Sequence, residues 1–129
     1  MAKVNNVKPS MREKKRYLCF EIGKMDNSFS KREVERAILT RVKLWIGEKN
    51  FGLGRPELKI YDQKYGIGII SCNHKQYLDI RMGIMLTEKI NDVKVKIIVF
   101  SVSGIIKKAK KRLEEKIKNG TIESSNDGI

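Results

Sequence analysis

Residues 97–112 read IIVFSVSGIIKKAKKR, an apolar segment that breaks at Ser103-Gly104 into a lysine-rich one. Just upstream, Val93, Val95 and Ile97 alternate with Lys94 and Lys96, the period of a strand with one buried face, before residues 98–102 become apolar on both sides. Past Gly104 the period changes. At about 100° per residue, Val102, Ile105, Ile106, Ala109, Leu113 and Ile117 gather on one side of a helix, with Lys107, Lys108, Lys111 and Arg112 on the other. The pattern predicts a strand running into a helix over 104–118, packed on one face and cationic on the other. The first turn of such a helix leaves backbone N–H groups unpaired at its positive end, and with lysines close behind, that junction suits a phosphate.

The segments upstream supply the rest of the fold. Residues 17–22, YLCFEI, read as a strand followed by a polar turn at 25–28. Ser30 and Glu33 then form an S-x-x-E capping box, with Phe29 and Val34 placed as its hydrophobic staple. Val34, Ala37, Ile38, Val42 and Trp45 recur at helical spacing, which predicts a helix from 31 to about 46 with those residues facing the core. Three glycines and a proline in 47–56 predict a loop. Two short strands, 58–61 and 67–72, flank a turn at 62–66. Asn73, with Gln76 three residues on, is placed to cap a second helix. Tyr77, Leu78, Ile84, Met85 and Leu86 carry that helix to about Lys89, and Asn91-Asp92 turns the chain into the last strand. The order is β-α-β-β-α-β plus a C-terminal helix. That is an α+β class, the ferredoxin-like or RRM-like antiparallel sheet with two helices on one face.

At 129 residues the chain fits one domain. The reading places a flexible basic arm at 1–15, a single α/β domain at 16–118 and a disordered tail at 119–129. The formal net charge is +13, and it is concentrated at the two ends of the domain. Residues 1–16 carry six basic residues against one acidic, and residues 94–118 carry nine against two. Charge in such blocks attracts polyanions with a strong dependence on salt. Lysine also serves solubility, but glutamate does not keep pace with it here, which favours nucleic acid. The N-terminus has no apolar signal region and no run approaches the ~20 residues of a membrane span, so the chain reads as cytoplasmic, without a membrane partner. The C-terminal helix resembles a membrane-surface helix, but its apolar face is needed to cover the sheet.

Chemistry beyond binding finds little support. Cys19 and Cys72 are far apart in sequence and form no CxxC, and Cys72 with His74, the one histidine, offers at most two metal ligands with no second cluster. These read as structural residues, and the chain is expected to bind no metal or cofactor itself. No G-x-S-x-G, GxxxxGK[ST] or H-E-x-x-H motif is present, no acid pair is spaced for general acid–base work, and no catalytic residue is assigned. An acylphosphatase would need a glycine-rich phosphate loop after the first strand, which is missing. Base stacking in the RRM manner needs aromatics on the central strands, but residues 67–71 are aliphatic and Tyr17 and Phe20 have opposite parity. Backbone contacts remain, from Arg12, Lys14, Lys15 and Arg16, from Asn73, His74 and Lys75, and from Ser103, Gly104, Lys107, Lys108, Lys111 and Arg112. The residues point to an RNA-binding subunit; a ribosomal or generic RNA-binding protein of the same fold shares every feature named so far.

Three separated signatures narrow this. RYLCFEI (16–22), GIISCNHK (68–75) and VSGIIK (102–107), in this order and spacing, resemble the archaeal ribonuclease P component 2 family, which has a counterpart in eukaryotic nuclear ribonuclease P and ribonuclease MRP. The resemblance implies an RRM-like fold and a non-catalytic subunit of the ribonucleoprotein that removes 5′ leaders from precursor tRNA. It implies catalysis by the RNA with Mg2+ at the RNA active site. The partners it implies are ribonuclease P RNA, the TIM-barrel-like component 3, the other ribonuclease P proteins and precursor tRNA. The chain departs from the family pattern at Ser71, where Arg is common, and at Ile105, where Thr is common, so side-chain phosphate contacts at those two positions are not carried over.

Overall fold

The computed structural model describes residues 14–23 and 28–127, with 120–127 as backbone. The arm residues 1–13, the turn residues 24–27 and the last two residues lie outside the described residues. The elements are β1 (Lys15–Ile22), α1 (Lys31–Gly54), β2 (Glu57–Asp62), β3 (Ile67–Asn73), a 3-10 turn (His74–Gln76), α2 (Tyr77–Met85), β4 (Lys89–Ile90), β5 (Val93–Lys94), β6 (Ile97–Ser103) and α3 (Ile106–Asp127). Four of the strands form one antiparallel sheet in the order β2-β3-β1-β6, the ferredoxin-like arrangement.

β1 shows why the sheet is covered on both faces. Its even positions Leu18, Phe20 and Ile22 join Val34, Ile38 and Val42 of α1 and Ile80 and Ile84 of α2 in the main core. Its odd position Cys19 faces the other way and packs with Ile67 and Ile69 of β3 and Ala109 and Leu113 of α3. Alternation of period two therefore feeds two apolar layers, and α3 closes the second. The same placement rules out base stacking across the sheet centre, because α3 occupies the face an RRM would use.

The start of α1 follows its sequence signal. Ser30 Oγ accepts from the Glu33 N–H at 3.2 Å, Glu33 Oε1 accepts from the Ser30 N–H at 2.8 Å, and Phe29 is buried beside them. The expected loop at 47–56 is a correction. Gly47 takes φ +85°, which only kinks the chain, and a further helical segment runs to Gly54 before Arg55 caps it in the left-handed conformation. Glycine read as a terminator acts here as a hinge between two helical runs. Trp45 is 51% exposed, so it does not belong to the core stripe. α2 is shorter than expected. It ends at Met85, Leu78 and Met85 are exposed, and Lys89–Ile90 pairs with Val93–Lys94 as a small hairpin about Asn91 and Asp92, both with positive φ. Val93 thus belongs to that hairpin and the last sheet strand begins at Ile97. α3 starts two residues later than expected and extends to Asp127 rather than ending at 118.

Candidate nucleic-acid interface

The register of β1 brings both helix junctions to one end of the sheet. Lys15 stands opposite Asn73, Arg16 opposite Cys72, and Tyr17 is paired both with Ser71 and with Ser103. Segments nearly sixty residues away in sequence on one side and nearly ninety on the other therefore converge on 14–17. Among the thirteen residues expected to contact RNA, Arg12 lies outside the described residues and the other twelve lie at this end of the sheet or along α3.

The first junction is built by Asn73. Its Oδ1 accepts from the Lys75 N–H at 3.0 Å, and its Nδ2 reaches the Leu53 carbonyl at 3.5 Å. What Asn73 caps is a three-residue 3-10 turn that leads into α2, not α2 itself. Gln76 does not complete a capping box; its Oε1 is buried without a hydrogen-bond partner among the described residues. His74 donates its main-chain N–H to the Lys14 carbonyl at 2.8 Å and holds Nδ1 3.2 Å from that oxygen. Lys75 is exposed beside it.

The second junction follows β6. Ser103 is nearly buried, and its hydroxyl accepts from the Ile105 N–H and donates to the Ile105 carbonyl, each at 3.1 Å. That hydroxyl shapes the turn and is occupied within it. The first main-chain bond of α3 runs from Ala109 to the Ile105 carbonyl, which leaves the N–H groups of Ile106, Lys107 and Lys108 without intrahelical acceptors. Arg16 lies against this junction: a Cβ at Gly104 would stand 3.4 Å from Arg16 Nη1. The same guanidinium lies 6.0 Å from the Tyr77 ring centroid and donates to the Lys15 carbonyl at 3.1 Å. Arg16 thus spans the two junctions, a cation touching the start of α2 on one side and the approach to α3 on the other.

Along α3, Lys107, Lys108 and Lys111 are exposed, joined by Lys110 and Lys118. Arg112 corrects the helical-wheel reading. It bends back to the sheet and donates from Nη1 to Ser101 Oγ at 2.8 Å and to the Val102 carbonyl at 3.0 Å. At about 100° per residue it sits only some 60° from Ala109, so it flanks the packed face. Lys116 does the same, with Nζ 3.7 Å from Glu21 Oε1 and 5.5 Å from the Phe100 ring centroid.

Sequence reasoning missed Arg55 and the buried Ser71, which share with Lys15, Glu57, Cys72 and Asn73 a cavity of about 240 Å³ at this sheet end. The Gly54-Arg55-Pro56 run is a helix C-terminal signal that marks Arg55 as the residue after a helix. Both cysteines are free and buried. Burial pushes the Cys19 thiol up to about 11 and the Cys72 thiol up to about 12, against weaker opposing pulls from Arg112 and Arg16. Among the described residues no three His, Cys, Asp or Glu side chains come together as a metal site, and no helix is long and apolar enough to cross a membrane.

The fold and this sheet end define an α/β protein that gathers backbone donors and cations from two helix junctions onto a single edge. The Rpp14/Pop5 family model matches residues 16–114, and the chain belongs to that family. It is 34% identical over 110 residues to ribonuclease P protein component 2 of Pyrococcus abyssi, covering 85% of this chain and 92% of the relative. It is 33% identical over 102 residues to the protein of the same name from Methanocaldococcus jannaschii, covering 79% and 74% of the two chains. In fold, it is similar to a chain in the cryo-EM structure of yeast ribonuclease MRP, with a TM-score of 0.57 at 16% identity over 89% of this chain and 99% of that one.

Proposed function

We propose that this chain is the component 2 protein of a ribonuclease P, a cytoplasmic RNA-binding subunit that supports the catalytic RNA in removing the 5′ leader of precursor tRNA. The family match over 16–114 carries this reading, since it spans nearly the whole described domain and includes both helix junctions. Geometry supplies the means. Lys14, Lys15, Arg16, Asn73, His74 and Lys75 meet the N-terminus of α3 at one sheet end, and Lys107, Lys108 and Lys111 continue the positive surface. Phosphates of the RNA lie against these groups, which position the strand without reading its sequence. Neutralising them lets the RNA compact around its own active site. The Mg2+ that drives hydrolysis belongs to that RNA active site, and the protein holds no catalytic residue. Component 3, the other ribonuclease P proteins and precursor tRNA complete the particle.

Reconstitution tests this. The chain is added, with component 3, to ribonuclease P RNA and precursor tRNA at low Mg2+, and leader removal is followed on gels. The expected result is cleavage above that of the RNA alone. No gain would sink the assignment and leave a generic RNA-binding protein.

A further inference from the structure

α2 is apolar on two sides. Its inner residues Ile80, Gly83 and Ile84 are buried, while Leu78, Met82 and Met85, at i, i+4 and i+7, form a second stripe that faces out. A helix with apolar residues all round is ordinarily covered all round, and this one is covered on one side. Leu78 is 62% exposed and Met82 46%. α1 runs close beside α2: a Cβ at Gly83 would stand 2.9 Å from Val42 Cα. Trp45, about one turn on from Val42, therefore comes beside the outer stripe. Trp45, Leu78, Met82 and Met85, with Asp79 and Arg81, line a groove of about 480 Å³. A second hollow of about 440 Å³ continues it, where Leu44 and Leu86 stand among Arg36, Arg41 and Lys89. The two hollows meet at the Leu44-Trp45 and Met85-Leu86 steps, so they make one valley along α1 from Arg36 to Trp45, about 14 Å at 1.5 Å per residue.

The chemistry of the valley selects its occupant. Its walls are two helices without a free strand edge, so recognition falls to side chains, and about three turns of an added helix fit the length. Two methionines adapt to the knobs of such a helix, and Trp45 supplies a large, stiff anchor. Arg36, Arg41, Arg81 and Lys89 form no ion pair with a described residue. Of the three acids in the lining, Glu33 is already engaged by the Ser30 N–H and the Asn91 side chain, which leaves Asp79 and Glu88 against four cations. A second copy would bring the same cations and another +13 to the contact. The lysines read as RNA contacts lie at the sheet end and on α3, which packs on the other face of the sheet. We propose that the valley is a docking site for an amphipathic helix of a protein partner. Its apolar residues, at i, i+3 or i+4, and i+7, rest on Trp45, Leu78, Met82 and Met85, and carboxylates on its flanks meet Arg36, Arg41 and Arg81. This goes beyond the RNA-binding reading and uses none of its residues, so the partner and RNA bind opposite layers at once.

The test uses the full chain and three synthetic peptides of about 18 residues, long enough to hold helix in solution and free of tryptophan. One carries leucines at i, i+4, i+7 and i+11 with alanine and glutamate elsewhere. One has lysine in place of glutamate, and one keeps the acidic composition with the leucines shuffled off the stripe. Trp45 is the single tryptophan of the chain, so its emission reports on the valley directly. The acidic amphipathic peptide is expected to shift that emission to the blue in a saturable way, with affinity at least about tenfold above either control. Leu78→Asp and Met82→Asp, both at exposed positions, are each expected to weaken binding of the labelled peptide at least about tenfold, with an unchanged melting curve. A double charge reversal, Arg41→Glu with Arg81→Glu, is expected to turn the preference toward the lysine peptide. No saturable shift with any peptide overturns the proposal, and so does equal binding of all three, the mark of an unselective apolar surface. A blue shift on concentrating the chain alone, with a dimer in sedimentation velocity that Leu78→Asp abolishes, makes a second copy the occupant. A blue shift with octauridylate that Leu78→Asp abolishes makes the face an RNA surface. Either result overturns the docking of a partner helix.

Discussion

The Lys14 carbonyl accepts the main-chain N–H of His74 at 2.8 Å and lies 3.2 Å from its Nδ1, so one oxygen ties the start of β1 to the turn that leads into α2. With Nδ1 carrying its proton toward that carbonyl, Nε2 points away from the tie. His74→Ala keeps the main-chain bond and removes only the ring. The expected stability change is small, within about 1 kcal/mol in a denaturant melt, because the lost bond is a part-exposed side-chain contact. RNA affinity is expected to fall by roughly three- to tenfold, the worth of one hydrogen bond. A large loss of stability with unchanged affinity would make the ring structural.

Lys107, Lys108 and Lys111 project from α3 while Arg112 bends back to Ser101 and Val102, and the two sets separate in experiment. Replacing the three lysines by Ala is expected to leave the melting curve nearly unchanged and to reduce the salt slope of RNA binding by about 2–3, since each phosphate contact contributes roughly 0.7–0.9. Arg112→Ala is expected to cost about 1 kcal/mol of stability through its two hydrogen bonds, with a smaller effect on the slope. An unchanged slope in the triple variant places the RNA elsewhere.

Much of this was legible in the sequence because it is local. The capping box at Ser30 and Glu33 and the strand at 17–22 need only neighbouring residues, and both recur in the structure as expected. The kink was not legible, because Gly47 permits either termination or continuation and only packing of the next helical turn decides between them. Arg112 was misplaced for a related reason. A helical wheel gives the angle of its Cα, whereas its long side chain is free to reach back to β6. The convergence of the two junctions on Arg16 depends on strand register, which the sequence sets through distant pairings. Ser71 and Arg55 become neighbours of one cavity only once β2 and α1 are laid beside β3.

Both thiols are held protonated by burial, which fixes the sign of a pH effect. A folded-state pKa raised from 9.0 to about 11 for Cys19 and to about 12 for Cys72 means the folded state binds more protons than the unfolded state between those values. Stability from this source is therefore fully present below pH 9 and declines from there up to about pH 11–12. Urea midpoints measured from pH 7 to 10.5 are expected to fall above pH 9, and the fall is expected to shrink in a Cys19→Ala, Cys72→Ala variant once both are compared with their own pH 7 values. Thiol reagents at pH 8 are expected to label the native chain slowly and the urea-unfolded chain at once. Rapid labelling of Cys19 in the native protein would mean that α3 lifts from the sheet.

Leu113 links the second core layer to the binding surface. It packs with Cys19, Ile67, Ile69 and Ala109 and is 6% exposed, so it fastens α3 to the sheet opposite α1 and α2. Leu113→Ala is expected to cost about 2–5 kcal/mol, the range for truncating a buried leucine, with the larger value if the site does not collapse. The helix it loosens carries Lys107, Lys108 and Lys111 and sets the direction of the N–H groups at its start. RNA affinity is therefore expected to fall even under conditions where the variant remains folded, although Leu113 itself meets no RNA. Amide hydrogen exchange should show the loss of protection concentrated in α3 and in the residues of β1 and β3 beneath it, while α1 and α2 exchange as before. A uniform rise in exchange across the whole domain, with affinity unchanged at low denaturant, would show that α3 is held by its ends and that its packing does not position the lysines.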